Sequence, residues 1–490
     1  MQSFLQLVAH DLYAKIGNDL SRTALIFPNK RANLFFNEYL AGESDQPIWS
    51  PAAMSISDLF QKLSVQKSGD PIRLVCELYK VFKEETQSQE TLDDFYFWGE
   101  LLISDFDDVD KNMVDADKLF SNLQDLKNLM DDYEFLDKEQ EEAIQQFFQN
   151  FSIERRTELK EKFISLWDKL GTIYHHYREN LTELGIAYEG MLYRNVIEQL
   201  DTDQLKYDKY IFVGFNVLNK VENEFFRKLK DAGKALFYWD YDIFYTQQIR
   251  KHEAGEFLKR NLGEFPNELP ESFFDIFKEP KKIRYISAST ENAQARFLPE
   301  WIKMITDNHS QIAEEKEKEN AVVLCNEALL LPVLHSIPQE VKNVNITMGF
   351  PLAQTPVYSF INAAMELQTN GYRSDTGRFT YEAVSAILKH PYTRRLSDKA
   401  EPLQRELTKT NRFYPFPSEL KKDKFLDILF TPRNGIRELC VYITELLKEV
   451  SVLYRQEQES DDIFNQLYRE SLFKSFTLVN RLLNLIDNNE

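Results

Sequence analysis

The amino-acid sequence predicts an α/β fold that contains two parallel-sheet cores and large all-helical insertions. Three observations lead to this prediction. Short apolar segments are each followed by a helical pattern, as in parallel strands joined by helical crossovers. Two long stretches between and after these segments show helical periodicity alone. The chain has 490 residues, which exceeds the size at which one hydrophobic core keeps growing.

The first predicted α/β step lies at the start of the chain. Apolar residues recur at helical spacing over residues 1–20, which indicates an amphipathic helix. The run TALIF then reads as a buried strand that ends at Pro28, and a second helix is expected from about Ala32. Residues 1–70 are therefore predicted to be the first part of an α/β core.

The stretch from residue 71 to residue 204 is predicted to be a helical insertion. Leucine and aromatic residues recur there at helical spacing, glycine is sparse, and runs of β-branched residues are absent. The α/β pattern resumes with the apolar segments KYIFVGF and KALFYWDYD, which flank a helix over residues 219–232. Residues 205–280 are therefore predicted to complete the first core.

A second α/β core is predicted to begin over residues 281–370. Three strands are expected there, in the segments KKIRYISAST, AVVLCN and NVNITMGFPL. A helical pattern follows each of these segments, from about Ala293 to Ile305 after the first, and a proline lies near the end of the helix after AVVLCN. Residues 371–490 again show helical periodicity and are predicted to form an all-helical region.

Charge and cysteine usage restrict the possible partners and the compartment. The net charge of −20 argues against a broadly basic, non-specific coat for nucleic acid, although a local basic groove remains compatible with it. The cysteines Cys76, Cys325 and Cys440 are far apart and lack metal-ligand spacing, which suits free thiols in a reducing compartment. No signal peptide and no apolar run of membrane length is present, so we expect a cytoplasmic protein without a membrane partner.

The motifs of common catalytic sites are missing or incomplete. A phosphate loop requires GxxxxGK followed by Ser or Thr, and the only Gly-Lys pair, Gly233-Lys234, lacks the other residues. An acidic stretch that begins at Asp108 fails as a calcium loop, because Met113 and Leu119 occupy its two defining positions. No hydrolase, zinc-protease or deaminase motif occurs. We therefore expect no catalytic residues, no metal and no cofactor in this chain, and a role in binding.

Several segments together resemble the inactivated superfamily I helicase region of AddB-type proteins, in particular the Bacteroidetes branch of the PD-(D/E)XK nuclease family. The segment LIFPNKRANLFFNEYL looks like helicase motif Ia. The stretch from YIFVGF to FYWDYD resembles motifs II and III, and the stretch from AVVLCN to INAAMEL resembles motifs IV to V. FYFWGELLISDFDDVD and IAYEGMLYRNVI are similar to the helical insertion of the family, and FTYEAVSAILKHPY to the helix after motif V.

The resemblance implies two RecA-like cores and a defined domain order. Residues 1–70 and 205–280 would form domain 1A, residues 71–204 domain 1B, residues 281–370 the first part of domain 2A, and residues 371–490 an incomplete 2B-like region. The family continues into a nuclease domain, so we expect this chain to be the N-terminal part of a longer PD-(D/E)XK exonuclease. The missing phosphate loop and acidic motif II place ATP hydrolysis in doubt.

The resemblance also implies a function and a binding surface. The chain would be a catalytically inactive DNA-binding scaffold in double-strand break repair and recombination, with single-stranded or end-frayed DNA and a helicase/nuclease motor subunit as partners. The alternative is a protein-interaction scaffold for that subunit, without DNA affinity of its own. The residues carried over to the DNA-binding surface are Asn29, Lys30, Arg31, Trp239, Tyr241, Thr347 and Gly349.

These residues have different expected roles and different alternatives. Lys30 and Arg31 would contact phosphates, and the alternative for them is an ordinary solvated helix start. Trp239 and Tyr241 would stack on bases, and the alternative is packing in the core. Thr347 and Gly349 would contact the DNA backbone, and the alternative is a purely local role in a turn.

Overall fold

The computed structural model describes residues 2–120, 169–246, 253–305, 320–338, 341, 343–456 and 463–488. They form two compact units, Met1–Lys281 and Lys282–Glu490. The fold is mixed α/β and mainly helical, with one four-stranded parallel sheet among the described residues. Part of the predicted helical insertion, residues 121–168, lies outside the described residues.

The sheet lies in the first unit, and its neighbouring strands are in order β2 (Ala52–Ser55), β1 (Thr23–Phe27), β5 (Lys209–Val213) and β6 (Ala235–Tyr238). All of its neighbouring strands run parallel. The strands predicted in TALIF, KYIFVGF and KALFYWDYD are confirmed, whereas β2 was not predicted. In chain order the strands of this unit are β1 (Thr23–Phe27), β2 (Ala52–Ser55), β3 (Lys67–Ser68), β4 (Ile186–Ala187), β5 (Lys209–Val213) and β6 (Ala235–Tyr238).

Helices cover both faces of this sheet, as expected for parallel strands that are apolar throughout. Three of the helices begin at reciprocal capping boxes, Ser55 with Asp58, Thr91 with Asp94, and Asn219 with Glu222. The helices are α1 (Phe4–Ile16), α2 (Ala32–Ala41), α3 (Ile56–Leu63), α4 (Pro71–Thr86), α5 (Leu92–Lys111), α6 (Leu170–Glu183), α7 (Glu189–Gln199), α8 (Lys220–Asp231), α9 (Ile243–Thr246) and α10 (Glu256–Glu264).

The two faces of the sheet belong to two different hydrophobic cores. Leu25 and Ile211 face the core that contains α1 and α2. Ile26 and Phe212 face a larger core that also contains α3 to α8. The helical stretch after residue 71 is therefore packed on one face of the sheet. The one strand among its described residues, β4, pairs in parallel with β3, which lies just before the stretch.

Among the described residues of the second unit, the regular structure is helical apart from one short antiparallel hairpin. Its main core contains side chains from every described helix after residue 355. None of the helices in the described ranges combines the length and the apolar character needed to cross a membrane. The elements are α11 (Glu291–Arg296), α12 (Leu298–Ile305), α13 (Leu330–Ser336), α14 (Pro356–Thr369), β7 (Tyr372–Arg373), β8 (Arg378–Phe379), α15 (Tyr381–Lys389), α16 (Pro391–Leu396), α17 (Ala400–Lys409), α18 (Pro417–Leu420), α19 (Lys424–Leu429), α20 (Ile436–Gln456) and α21 (Ile463–Asp487).

The three strands predicted for the second core are not strands in this structure. The segments KKIRYISAST, AVVLCN and NVNITMGFPL contain no strand in their described residues, and the first two expose Ile283, Tyr285 and Val323. An apolar pattern shows only that side chains suit a sheet, whereas a strand also requires a neighbour for its backbone N–H and C=O groups. No such neighbour is provided by the described residues of this unit.

Candidate functional site

The strand order places a topological switch point between β1 and β5. From β1 the chain proceeds to β2 on one side, and from β5 it proceeds to β6 on the other side. In open parallel sheets the crevice beyond the carboxyl ends of the strands at such a point is the usual ligand site. Two loops line this edge, residues 28–31 after β1 and residues 214–219 after β5.

The loop after β1 directs two basic side chains outward. Asn29 accepts hydrogen bonds at Oδ1 from the backbone N–H groups of Arg31 (3.1 Å) and Ala32 (3.4 Å), a local turn that fixes the entry into α2. Asn29, Lys30 and Arg31 are all exposed. The loop thus brings together two cationic side chains and the N-terminus of a ten-residue helix, all of which favour an anion.

Lys30 is positioned by an acidic residue of the neighbouring helix. Its Nζ lies 3.0 Å from Oδ1 of Asp58, in the first turn of α3. Hydrogen bonds from Ser55 lower the pKa of Asp58, and Lys30 lowers it further. The Lys30 side chain is still 75% exposed. Because an exposed ion pair of this kind contributes only about 0–1 kcal/mol, an incoming phosphate can replace Asp58 as the partner of Lys30.

The carboxylates of the same region bind side chains of neighbouring helices. Glu189 of α7 accepts hydrogen bonds from Ser57 (3.0 Å), Lys111 (2.6 Å) and Tyr193 (2.9 Å). Lys111 also forms an ion pair with Asp107 at 2.7 Å. The charge of Lys111 is therefore already balanced by two carboxylates. Its role is to join α5 to α7, and it is unsuited to binding an additional anion.

The two strand ends lack the groups that bind and hydrolyse a nucleoside triphosphate. No glycine follows β1, where the chain continues with Pro28 and Asn29. After β5, Gly214 has a φ of 73°, a left-handed conformation that strains a residue with a side chain. An aspartate or glutamate that could bind magnesium would therefore be strained at position 214 with this backbone conformation. Across the described ranges, no three His, Cys, Asp or Glu side chains are grouped to hold a metal ion.

Trp239, predicted to stack on bases, lies in the core. Its side chain is 1% exposed, and its Nε1–H group donates a 2.9 Å hydrogen bond to the carbonyl of Phe265. The indole ring also stacks against Phe237 at 6.3 Å. Packing in the core was the stated alternative for Trp239, and the structure supports it, because no face of the ring is open to a base.

The other carried-over residues, Tyr241, Thr347 and Gly349, belong to other segments of the chain. Tyr241 is partly buried, and one face of its ring stacks on Phe274 at 4.4 Å. Thr347 and Gly349 belong to the second unit, where both are exposed in a segment without regular structure. Gly349 has neither a positive φ nor a close neighbour, so its backbone does not require glycine.

A serine–histidine contact in the second unit, which the sequence did not reveal, has the wrong geometry for catalysis. Ser359 Oγ lies 3.1 Å from Nε2 of His390. The Nδ1 atom accepts a hydrogen bond from the backbone N–H of Tyr392 (3.2 Å), so the neutral ring carries its proton on Nε2. Burial lowers the pKa of His390, which favours this neutral form. The ring donates to Ser359 and cannot accept its proton, so the pair serves to cap α16.

The exposed loop formed by residues 28–31 is therefore a candidate anion-binding site. Lys30 and Arg31 supply charge, and Asn29 supplies the turn that presents them. Among the described residues, the serine–histidine contact lacks the geometry for catalysis, and no group of metal ligands is found. A comparison with models of protein families finds no match for this chain, and a search of curated proteins finds none either.

Proposed function

We propose that the chain is a catalytically inactive, helicase-like DNA-binding scaffold of an AddB-type nuclease that acts in double-strand break repair and recombination. The observation that carries this proposal is the exposed Lys30–Arg31 loop at the switch point of a parallel sheet. The segment that forms this loop, LIFPNKRANLFF, is also the one that resembles a DNA-contacting helicase motif. The same sheet edge has no phosphate loop.

DNA is the ligand that suits this loop. Two exposed cations beside the positive end of the α2 dipole provide contacts to phosphate that do not depend on base sequence. The net charge of −20 restricts such contacts to local basic positions. A DNA strand would therefore be held at a few defined phosphates, which is appropriate for a scaffold positioned beside a motor subunit.

The proposal includes a second α/β core over residues 281–370. Its support is the strand-like composition of KKIRYISAST, AVVLCN and NVNITMGFPL, together with the exposure of their apolar side chains. Unpaired strands leave such side chains in water until neighbours cover them. In a completed sheet, Thr347 and Gly349 would follow the strand that begins near Asn343.

We expect hydrogen exchange to reveal whether this second sheet forms in solution. Backbone amides of residues 281–290, 321–326 and 343–346 should exchange slowly, with protection comparable to that of β1 and β5, because strand pairing protects N–H groups. The experiment is mass spectrometry of the intact chain after exchange, with the β1 and β5 peptides as an internal standard. Exchange at the rate of unstructured peptides would contradict a second core.

The DNA-binding loop is tested by removing its charges. We expect the double variant Lys30→Ala/Arg31→Ala to bind single-stranded DNA more weakly at 50 mM salt. Its plot of log affinity against log salt should flatten by about 1.4, since each lost phosphate contact on a single strand accounts for about 0.7. Fluorescence anisotropy with a labelled oligothymidylate measures both quantities.

The matched control is Arg22→Ala/Lys209→Ala, which removes the same charge from the opposite edge of the sheet. Arg22 precedes β1 and pairs with Asp208, while Lys209 begins β5. These changes should leave the salt dependence unaltered. If the wild-type chain fails to bind at 50 mM salt, or if both double variants lose affinity equally, the DNA-binding proposal is wrong.

A protein-interaction scaffold without DNA affinity is the second candidate. The exposed side chains of Leu34 and Phe35 on α2 favour it, because adjacent exposed hydrophobic residues are typical of protein interfaces. It predicts a stable complex with a motor subunit that Leu34→Ser/Phe35→Ser disrupts, together with no oligothymidylate binding by the wild-type chain. DNA binding that depends on Lys30 and Arg31 excludes it.

A further inference from the structure

The second unit carries a surface formed by the β7–β8 hairpin and the segment that follows α17. Phe379 donates a backbone hydrogen bond to the carbonyl of Pro415 (3.0 Å), and Tyr381 donates one to the carbonyl of Phe413 (2.8 Å). These two hydrogen bonds hold the segment beside the hairpin and the start of α15. We call the surface the arginine–aromatic patch, and its members are Arg373, Arg378, Phe413, Tyr414 and Phe416.

Three aromatic rings of the patch are open to solvent within four residues of chain. Phe413 is 62% exposed, Tyr414 45% and Phe416 37%. Single exposed hydrophobic residues are ordinary on protein surfaces, but several adjacent ones mark an interaction site. Pro415 between them is buried, so the backbone is anchored while the rings project outward.

Two arginines of the hairpin lie against these rings. The guanidinium carbon of Arg378 is 4.1 Å from the centroid of the Phe416 ring, and that of Arg373 is 5.2 Å from the Tyr414 ring. Neither arginine forms an ion pair with a carboxylate in the described part of the chain. A guanidinium stacked in this way is held in place while its N–H groups remain available to an anion.

The backbone beneath the patch is held by further polar contacts. Arg412 forms an ion pair with Glu419 at 2.6 Å, and Glu419 accepts a hydrogen bond from the backbone N–H of Phe416 (2.6 Å). The Glu419 carboxylate is thus paired with Arg412, and the charge of Arg378 also acts on it. The backbone that carries the rings is therefore held in place before any ligand binds, and arginines offset the charge of this carboxylate despite a net charge of −20.

We propose that the arginine–aromatic patch binds single-stranded nucleic acid, with bases stacked on Phe413 and Tyr414 and phosphates bound by Arg373 and Arg378. Exposed rings alternating with cations are the combination that binds single strands without sequence preference. The alternative, in which the arginines merely cover the rings of the hairpin, does not account for the exposure of Phe413. This inference rests on the proposed function for the identity of the ligand, DNA, and adds a second binding surface to it.

The test compares two patch variants with matched controls in the full chain. We expect Phe413→Ala/Tyr414→Ala to weaken oligothymidylate binding at least tenfold, because each base–aromatic stack contributes about 1–3 kcal/mol and 1.4 kcal/mol is tenfold. Arg373→Ala/Arg378→Ala should flatten the salt dependence by about 1.4. The controls, Phe473→Ala on α21 and Arg394→Ala/Arg405→Ala, remove exposed side chains of the same types elsewhere in the unit and should change neither quantity.

Phe413→Leu separates stacking from folding, because it retains an apolar side chain but lacks an aromatic face. It should weaken binding as much as Phe413→Ala does, with an unchanged circular dichroism melting curve. Unaltered affinity in all patch variants, with a loss in Lys30→Ala/Arg31→Ala, would overturn this inference and leave the proposed function intact. Loss of affinity for oligothymidylate in the patch variants alone would support DNA binding by the patch. It would also show that the loop formed by residues 28–31 is not the DNA-binding surface of the proposed function.

Two further outcomes concern the nature of the ligand. Failure of the wild-type chain to bind oligothymidylate at 50 mM salt would overturn both the patch and the proposed function. If polyglutamate displaces the labelled oligothymidylate as effectively as unlabelled oligothymidylate does, the patch recognises acidic polypeptide. This result also overturns the inference. Competition by oligothymidylate alone supports it.

Discussion

Replacement of Asp110 by alanine is expected to destabilise the first unit by about 3–5 kcal/mol, the usual result of leaving buried charges without their partner. Asp110 lies on α5 with no exposed surface. Its carboxylate binds both Arg178 and Arg194. Without it, the largely buried guanidinium group of Arg178 loses the carboxylate with which it pairs, and Arg194 retains only its ion pair with Glu198.

The same carboxylate also accepts hydrogen bonds from two phenols. Tyr174 donates from α6 at 2.7 Å, and Tyr188 donates from the residue before α7 at 2.5 Å. Burial raises the pKa of Tyr188 well above its usual range, and the charge of Asp110 raises it further, so the hydroxyl remains a donor. Asp110 thus connects three helices, and its loss leaves two tyrosine hydroxyls without this acceptor, which adds to the destabilisation.

Urea unfolding followed by tryptophan fluorescence measures the effect in the first unit, since four of the five tryptophans lie within residues 1–281. The midpoint should fall strongly for Asp110→Ala, with an unchanged m-value. Asp108→Ala, at an exposed position of the same helix, is the control and should shift stability by less than about 0.5 kcal/mol. A loss below about 1 kcal/mol for Asp110→Ala would show that water replaces the carboxylate.

The sheet was predictable where single segments contained enough information. The strands β1 and β5 are continuous runs of apolar residues bounded by turn residues, and every residue of β1 is buried, so their composition alone indicates a covered parallel strand. By contrast β2 has the sequence AAMS, and alanine has little strand preference. Pairing with β1 places these residues in a strand, and pairing between distant segments cannot be inferred from local sequence.

The candidate site, like the sheet, was predictable only in part. The resemblance of their segment to a helicase motif singled out Lys30 and Arg31, and both are exposed after β1. The ion pair between Lys30 and Asp58 depends on β2 bringing α3 beside the loop, and the sequence did not reveal it. The arginine–aromatic patch was also missed, because backbone hydrogen bonds join hairpin residues to a segment more than thirty residues further along the chain.

Replacement of Trp239 by alanine is expected to destabilise the first unit by about 3–5 kcal/mol, as for other large side chains removed from a packed core. Trp239 belongs to the core that also contains Phe237 and Phe265. Removal of the indole leaves a cavity between these rings, because the sheet holds Phe237 in place and limits relaxation. Tyr241→Ala should have a smaller effect, since Tyr241 is only partly buried.

Trp239→Phe separates the hydrogen bond from the packing and decides between the two roles considered for this residue. It should be destabilising by about 1 kcal/mol for the lost bond from Nε1 to the carbonyl of Phe265, plus a packing contribution below that of alanine. If Trp239 acts only in the core, the folded fraction of each variant should bind oligothymidylate with wild-type affinity. A large loss of affinity in folded Trp239→Phe, with little change in the urea midpoint, would instead show that the ring leaves the core to stack on a base.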